Sequence, residues 1–321
     1  MSGVASRRVL VTGAAGFIGS NLAVRLLAEG CDVIGIDDLS QGVAEQVPAG
    51  VDFHRLDVRS AAIYPLFRGV DAVFHLAAKN CISDCQSEPV AAASINVVGT
   101  VNVFEAARCA AVHRVIYAES SALYEGVTEI PTNEDLVAAR SIYATTKLAT
   151  AGFASAYARF HGMNMTALRY FCVYGPRQDY RRTIPPVMSA FIMKALRGER
   201  PVIYGTGEKR RDFIYIDDVN AFHMKCLADV RTHHGTFNLG SGRDHSVTEI
   251  LGEIQDLLGT SLGPIHEPDL PGEAERTCAD VSRARALGWE PRVPLREGLR
   301  RSIDYIRQHV FDEAAAAELR V

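Results

Sequence analysis

Apolar residues fall along this chain in short runs of strand length, separated by stretches in which they recur every three or four positions. The first run, Val9-Leu-Val11, ends in a glycine turn, after which Leu22, Leu26 and Leu27 mark one face of an amphipathic helix within Ser20 to Gly30. Asp32 to Asp37 is a second short apolar strand, which completes a β-α-β unit. Strand signals return at Val51 to Asp57, Ala72 to Ala77, Arg114 to Ala118 and Met165 to Tyr170, with helical patterns between the later ones. This alternation predicts an α/β fold built on a doubly wound parallel sheet. Beyond Gly175-Pro176 prolines become frequent and the elements shorter, so the first domain is expected over 1–173 and a smaller lobe over 174–321. Within that lobe Asp212 to Asp218 and Phe237 to Gly240 look like strands, and one or both are expected to return to the first domain. The alanine-rich stretch from Glu313 to Leu319 reads as a solvated helix end.

Composition narrows the picture. The chain has 321 residues, 48% of them hydrophobic and 22% charged, which suits an ordinary globular protein with a large core. A formal charge of −4 supplies no basic field, so no nucleic-acid partner is expected and an anionic ligand must be held by local groups. Strand-forming residues begin at Arg8 and no apolar run approaches a membrane span, which sets the expectation of a soluble, cytoplasmic protein without a membrane partner. Seven cysteines, an odd number, suit a reducing compartment better than a disulfide framework. Cys81 and Cys85 share a helical spacing, but no second Cys/His pair stands nearby, so no metal is expected.

The glycine turn carries the first chemistry. In Val9-Leu-Val-Thr-Gly-Ala-Ala-Gly-Phe-Ile-Gly19 a strand runs through three glycines into a helix, with spacing G-x-x-G-x-x-G. Gly13 allows the turn, Gly16 lets backbone approach a ligand and Gly19 lets the helix pack closely on the strand, with Phe17 and Ile18 opening that helix. Free N–H groups at its start favour a pyrophosphate. Asp37 ends the second strand, where a carboxylate accepts hydrogen bonds from an adenosine ribose and repels a 2′-phosphate, which selects NAD over NADP. Asp57-Val58 follows the third strand and is placed near the adenine. Tyr143 and Lys147, four apart in a helical segment, share one face, and an ammonium near a phenol favours the phenolate of a general base. Ser120 follows the strand from Arg114, at the sheet edge where such folds bind ligands.

Taken together, Thr12 to Gly19, Asp37, His75-Leu-Ala-Ala78, Asn96-Val-Val-Gly-Thr100, Ser120, Tyr143 to Lys147, Arg169-Tyr-Phe171, Tyr174-Gly-Pro-Arg-Gln178 and Arg211 to Val219 resemble the extended short-chain dehydrogenase/reductases that modify nucleotide sugars. The resemblance spans nearly the whole chain. It implies a Rossmann-type NAD-binding domain, with Ala77, Ala78 and Tyr170 also lining the cofactor, and a smaller C-terminal α/β lobe for the substrate. It further implies a Ser120/Tyr143/Lys147 triad acting on a nucleotide-diphosphate sugar, usually at C4, and a homodimer formed through helices around 90–111 and 141–161. Arg211 and Arg276 are expected at the diphosphate, Tyr204 at the base, and Lys79, Cys81, Ser121 and Cys172 near the sugar or phosphate.

Departures bear on the reaction. Where 4,6-dehydratases of this family carry Thr-Asp-Glu, this chain has Ser120-Ser121-Ala122, and the usual Tyr-Gly is Tyr124-Glu125, with Glu119 before the serine. Glu125, or Glu119, is therefore a candidate acid/base, and the pattern is similar to the UDP-N-acetylglucosamine 5,6-dehydratases of tunicamycin-type antibiotic biosynthesis. That similarity implies C4 oxidation, loss of water across C5 and C6, and hydride return to C4. The alternative is a UDP-hexose or UDP-N-acetylhexosamine 4-epimerase, which needs only the triad and room for the ketone to turn. A catalytically silent NAD-binding scaffold is the remaining reading.

Overall fold

The computed structural model describes residues 7–181, 185–269 and 274–311, so the expected helix end at Glu313 to Leu319 lies outside the described residues. The chain begins with β1 (Arg8–Thr12), α1 (Phe17–Ala28), β2 (Asp32–Asp37), β3 (Asp52–Arg55) and β4 (Ala72–His75). Short helices α2 (Ile82–Ser87) and α3 (Pro89–Ala93) lead through a π turn, Ser94–Val98, into α4 (Gly99–Cys109). Then come β5 (Arg114–Ser120), α5 (Ile142–His161) and β6 (Asn164–Tyr170). Val9, Leu10 and Val11 are all fully buried, as expected of a parallel strand covered by helices on both faces.

The remaining elements are β7 (Cys172–Tyr174), α6 (Val187–Leu196), β8 (Val202–Tyr204), β9 (Arg210–Tyr215), α7 (Ile216–Ala228), β10 (Thr236–Leu239), β11 (Asp244–Ser246), α8 (Val247–Leu258), β12 (Ile265–Glu267), α9 (Ser282–Ala286) and α10 (Leu295–Ile306). Among the described residues the main sheet has seven strands in the order β3-β2-β1-β4-β5-β6-β10, every pair parallel. The reversal of strand order beside β1 makes the crevice at the C-terminal strand ends the natural ligand site.

Of the two late strands, the one at Phe237 returns to the main sheet beside β6, whereas β9 lies between β7 and β11 in a separate three-stranded sheet. The expected strand through Asp218 stops at Tyr215. Asp217 and Asp218 occupy the first turn of α7, where a carboxylate meets the positive end of the helix dipole, and Asp218 accepts hydrogen bonds from the backbone N–H of Arg292 and Val293. A second correction concerns apolar length. The run Pro89–Cys109 is one helical stretch with the length and composition of a membrane span, but Val103, Phe104, Ala106 and Ala107 are buried in the core against the sheet strands. None of the seven cysteines is in a disulfide.

Candidate functional site

The turn after β1 is built so tightly that side chains are excluded from it. A Cβ on Gly19 would lie 2.0 Å from the Gly13 carbonyl oxygen, and one on Gly13, at φ +72°, would lie 2.9 Å from the Ala77 nitrogen. Strand end β4 therefore abuts the turn. Phe17 and Ile18 are half-buried at the open first turn of α1, whose start has no side-chain cap. Those uncapped N–H groups and the glycine cradle fit a dinucleotide pyrophosphate.

Asp37 is buried, with one oxygen accepting from the Ala15 N–H at 3.0 Å and the other from the Leu39 N–H at 2.9 Å. Burial pushes its carboxyl up, against the pull of those two N–H groups. Asp57 sits at the next strand end, but Arg59 holds both its oxygens at 2.9 Å, which lowers its pKa and anchors it beside the buried Val58.

At the far side of the crevice, Ser120 ends β5 and caps a 3-10 turn over Ser121–Tyr124, its Oγ accepting from the Ala122 N–H at 3.2 Å. Register places Tyr170 of β6 directly beside Ser120, and the Tyr170 hydroxyl bonds His223 at 2.8 Å. Ser141 caps α5, which carries the next two residues of interest on its buried face. Tyr143 packs against Cys85, Ala92, Ile82 and Ala122. Lys147 is buried one turn on, its Nζ donating to the Ala118 carbonyl at 2.8 Å and lying 6.0 Å from the Tyr143 ring centre. Burial drags its pKa down to about 8, and the nearby Glu119 carboxylate and Cys85 thiol limit the fall.

The two candidate carboxylates are both engaged. Glu119 is buried and holds Arg169 at 2.7 Å and the Tyr117 hydroxyl at 3.0 Å. Glu125 accepts from the N–H groups of Arg140 and Ser141 and from the Ser141 hydroxyl, at 3.1, 2.7 and 2.8 Å.

Four polar residues of the sequence motifs, Thr12, His75, Thr100 and Asn96, link the β1 and β4 strand ends to α5. Thr12 accepts from the Leu76 and Ala77 N–H groups and bonds His75 Nδ1 at 2.8 Å, while His75 Nε2 meets Thr100 at 2.8 Å. Thr100 donates to the Asn96 carbonyl, so it accepts from an Nε2–H tautomer of His75. Burial, helped by the Lys147 charge, lowers the His75 pKa to about 3 and keeps the ring neutral. Asn96 then binds Lys79 through both its backbone N–H and C=O and donates to Thr146 of α5 at 3.0 Å. The signal in the sequence was polarity at positions otherwise reserved for core residues.

On the substrate side, Lys79 pairs with Glu88 at 2.7 Å, Cys81 Sγ lies 3.0 Å from Ser83 Oγ, and Ala78, Ser121 and Cys172 are half-buried. Tyr204 is half-buried at the end of β8. Arg211 in β9 donates to the Arg210 carbonyl at 3.0 Å, and Arg276 is brought alongside by a β-bridge to Arg210. Arg276 and Arg210 share the carboxylate of Asp244. Lys147 meets β5 at Ala118, Tyr143 packs against Ala122 and Tyr170 lies beside Ser120, all at the C-terminal edge of the parallel sheet where the glycine turn also lies; Arg210, Arg211 and Arg276 form a separate cationic cluster.

Residues 9–240 match the model of the NAD dependent epimerase/dehydratase family. The chain is 35% identical to the UDP-glucose 4-epimerase of Mycolicibacterium smegmatis over 94% of its own length and 98% of that protein. Among solved structures, the UDP-glucose 4-epimerase of Thermotoga maritima with UDP-glucose superposes with a TM-score of 0.90 at 33% identity, covering 94% of this chain and 99% of that one. MoeE5 in complex with UDP-glucose and NAD gives 0.86 at 34% identity, covering 94% and 99%. This chain belongs to the NAD dependent epimerase/dehydratase family.

Proposed function

We propose that the protein oxidises a UDP-sugar at C4 with NAD and returns the hydride to C4, with 4-epimerisation of a UDP-hexose or UDP-N-acetylhexosamine as the net reaction. The observation that carries this reading is the pairing of Tyr143 with the buried Lys147 at the edge of a glycine cradle, in a chain whose relatives include UDP-glucose 4-epimerases along their full length. When bound, NAD supplies the hydride acceptor and later the donor. Tyr143 takes the proton from the C4 hydroxyl, the Lys147 ammonium stabilises its phenolate, and the Ser120 hydroxyl steadies the sugar oxygen. Arg211 and Arg276 bind the diphosphate, for which Arg276 exchanges Asp244 for phosphate oxygens. Both Glu119 and Glu125 are spent on other partners, and epimerisation requires neither.

The second reading, 5,6-dehydration of UDP-N-acetylglucosamine, is favoured by the Ser121-Ala122 departure and by the thiol–hydroxyl pair of Cys81 and Ser83, which follows the β4 strand end and could relay a proton. In it, removal of the C5 proton expels the C6 hydroxyl as water before C4 is reduced. Incubation with UDP-N-acetylglucosamine and mass analysis of the product separates the two: epimerisation leaves the mass unchanged, and dehydration removes one water. Absence of any NADH absorbance on single turnover with UDP-sugars would overturn both. The enzyme is further proposed to be a soluble, cytoplasmic homodimer.

A further inference from the structure

The loop from Gly126 to Arg140 separates Ser120 from Tyr143 in the chain, yet the two ends of that loop are stitched together. The Ala138 N–H donates to the Leu123 carbonyl at 2.8 Å, and the Gly126 N–H donates to the Ala138 carbonyl at 2.9 Å. The strongest stitch is the Glu125 carboxylate, which lies 16 residues before Ser141 and takes three hydrogen bonds at the start of α5. Its Oε1 partner, Ser141 Oγ, itself accepts from the Ala144 N–H at 3.0 Å, so the clamp reaches the first turn of the helix. An anion is favoured there by the free N–H groups and the helix dipole. Glu125 also closes the 3-10 turn that Ser120 opens. One short rigid path therefore connects the Ser120 hydroxyl to the helix bearing Tyr143 and Lys147.

We infer that Glu125 is a positioning residue: its carboxylate sets the placement of Tyr143 relative to Ser120 by clamping the N-terminus of α5, and it carries no proton to or from the sugar. The inference rests on the C4-oxidation reading for its kinetic consequence, but the clamp itself is read without chemistry. Three charge-assisted or backbone bonds to one carboxylate hold the helix start against fraying, and a misplacement of about 1 Å at a reacting centre costs on the order of 100-fold in rate.

The test compares Glu125→Ala, Glu125→Gln and Ser141→Ala in the full-length protein. Backbone hydrogen exchange over residues 140–147 should rise about tenfold or more in E125A, rise less in S141A, and return most of the way in E125Q, whose carbonyl still accepts. Single-turnover NADH formation should slow about 10- to 100-fold in E125A with KM within about twofold, and E125Q should recover most of that rate. Unchanged exchange in E125A overturns the clamp. Exchange near wild type in E125Q, together with a rate as low as that of E125A, overturns the positioning role in favour of proton transfer. A wild-type protein that forms no NADH with UDP-sugars defeats the functional reading, while the exchange measurement still decides the clamp.

Discussion

Lys147 shows what a single buried charge costs and gives. Its ammonium is removed from water and donates to the Ala118 carbonyl, and burial lowers its pKa to about 8 from an ordinary 10.5. Below about pH 8 the group is charged in folded and unfolded chains alike and the burial penalty is borne in full. Between about 8 and 10.5 the folded protein releases its proton first, so this contribution to stability improves as pH rises. Function runs the other way. In the proposed mechanism the Lys147 ammonium supports the Tyr143 phenolate; that charge is lost above about pH 8, so the single-turnover rate of C4 oxidation should fall on that limb, and a rate flat to pH 10 would exclude the role. Lys147→Met should abolish oxidation while raising stability by about 1–2 kcal/mol in thermal or urea unfolding, because a buried charge whose desolvation outweighs its attraction to Glu119 and Cys85 is replaced by an apolar stem of similar shape. Gly19→Ala should act oppositely. Its Cβ would sit 2.0 Å from the Gly13 oxygen, so it should cost more than about 3 kcal/mol or prevent NAD from binding, read by melting temperature with and without NAD. The placement of Gly13 and Gly19 in a tight turn, of Asp37 at a strand end and of Tyr143 and Lys147 on one helix face was legible because it follows from residue type and spacing. The engagement of Glu119 by Arg169 and of Glu125 by Ser141 was not, since these partners lie 50 and 16 residues away and only the folded chain selects them.

At the scale of elements, hydrophobic periodicity located β1, β2, β4, β5 and β6 within a residue or two, and α1 within three, because strands buried on both faces leave an unmistakable apolar run. It misread the segment at Asp212 to Asp218, where Ile214, Tyr215 and Ile216 continue an apolar run across the junction of β9 and α7. What marks the helix there is its acidic first turn, Asp217 and Asp218 at the positive end of the dipole, a weaker signal than the run. The π turn Ser94–Val98 was equally hidden, and it matters because it lies at Asn96. An inserted residue in a helix displaces one side chain relative to the regular ladder, a device common at functional sites. Here it lies where Asn96 binds the backbone at Lys79 and the side chain of Thr146. Asn96→Ala leaves the Lys79 N–H and C=O and the Thr146 hydroxyl each short of a partner in a buried setting. It should cost about 2–4 kcal/mol and weaken NAD binding about tenfold, measured by urea unfolding and by titration of cofactor. Full retention of both would show that the π turn serves packing alone.

At the scale of the whole molecule, the loop after β7 is fastened to α1. Asn21 donates to the Pro176 carbonyl at 3.0 Å, Arg177 donates to the Ser20 carbonyl at 3.1 Å, and Gln46 donates to the Arg177 carbonyl at 3.2 Å, so the helix that follows the glycine turn also holds the chain after β7. The opposite side of the molecule presents a different problem. Helices α3, α4 and α5 pack side by side, and their outward faces carry Val90, Val98, Leu148, Phe153 and Phe160, with Val90 82% and Phe160 73% exposed. This outward face also explains why Pro89–Cys109 has the apolar composition of a membrane span while being only 44% buried within the monomer. We propose that the same helix pair of a second copy, related by a twofold axis, covers this face. The protein should therefore run as a dimer at micromolar concentration in light scattering without detergent. Val98→Glu combined with Phe153→Glu should shift it to monomer, with the NAD site intact by titration. A wild-type monomer under these conditions would refute the dimer, and a double variant that remains dimeric would place the contact elsewhere.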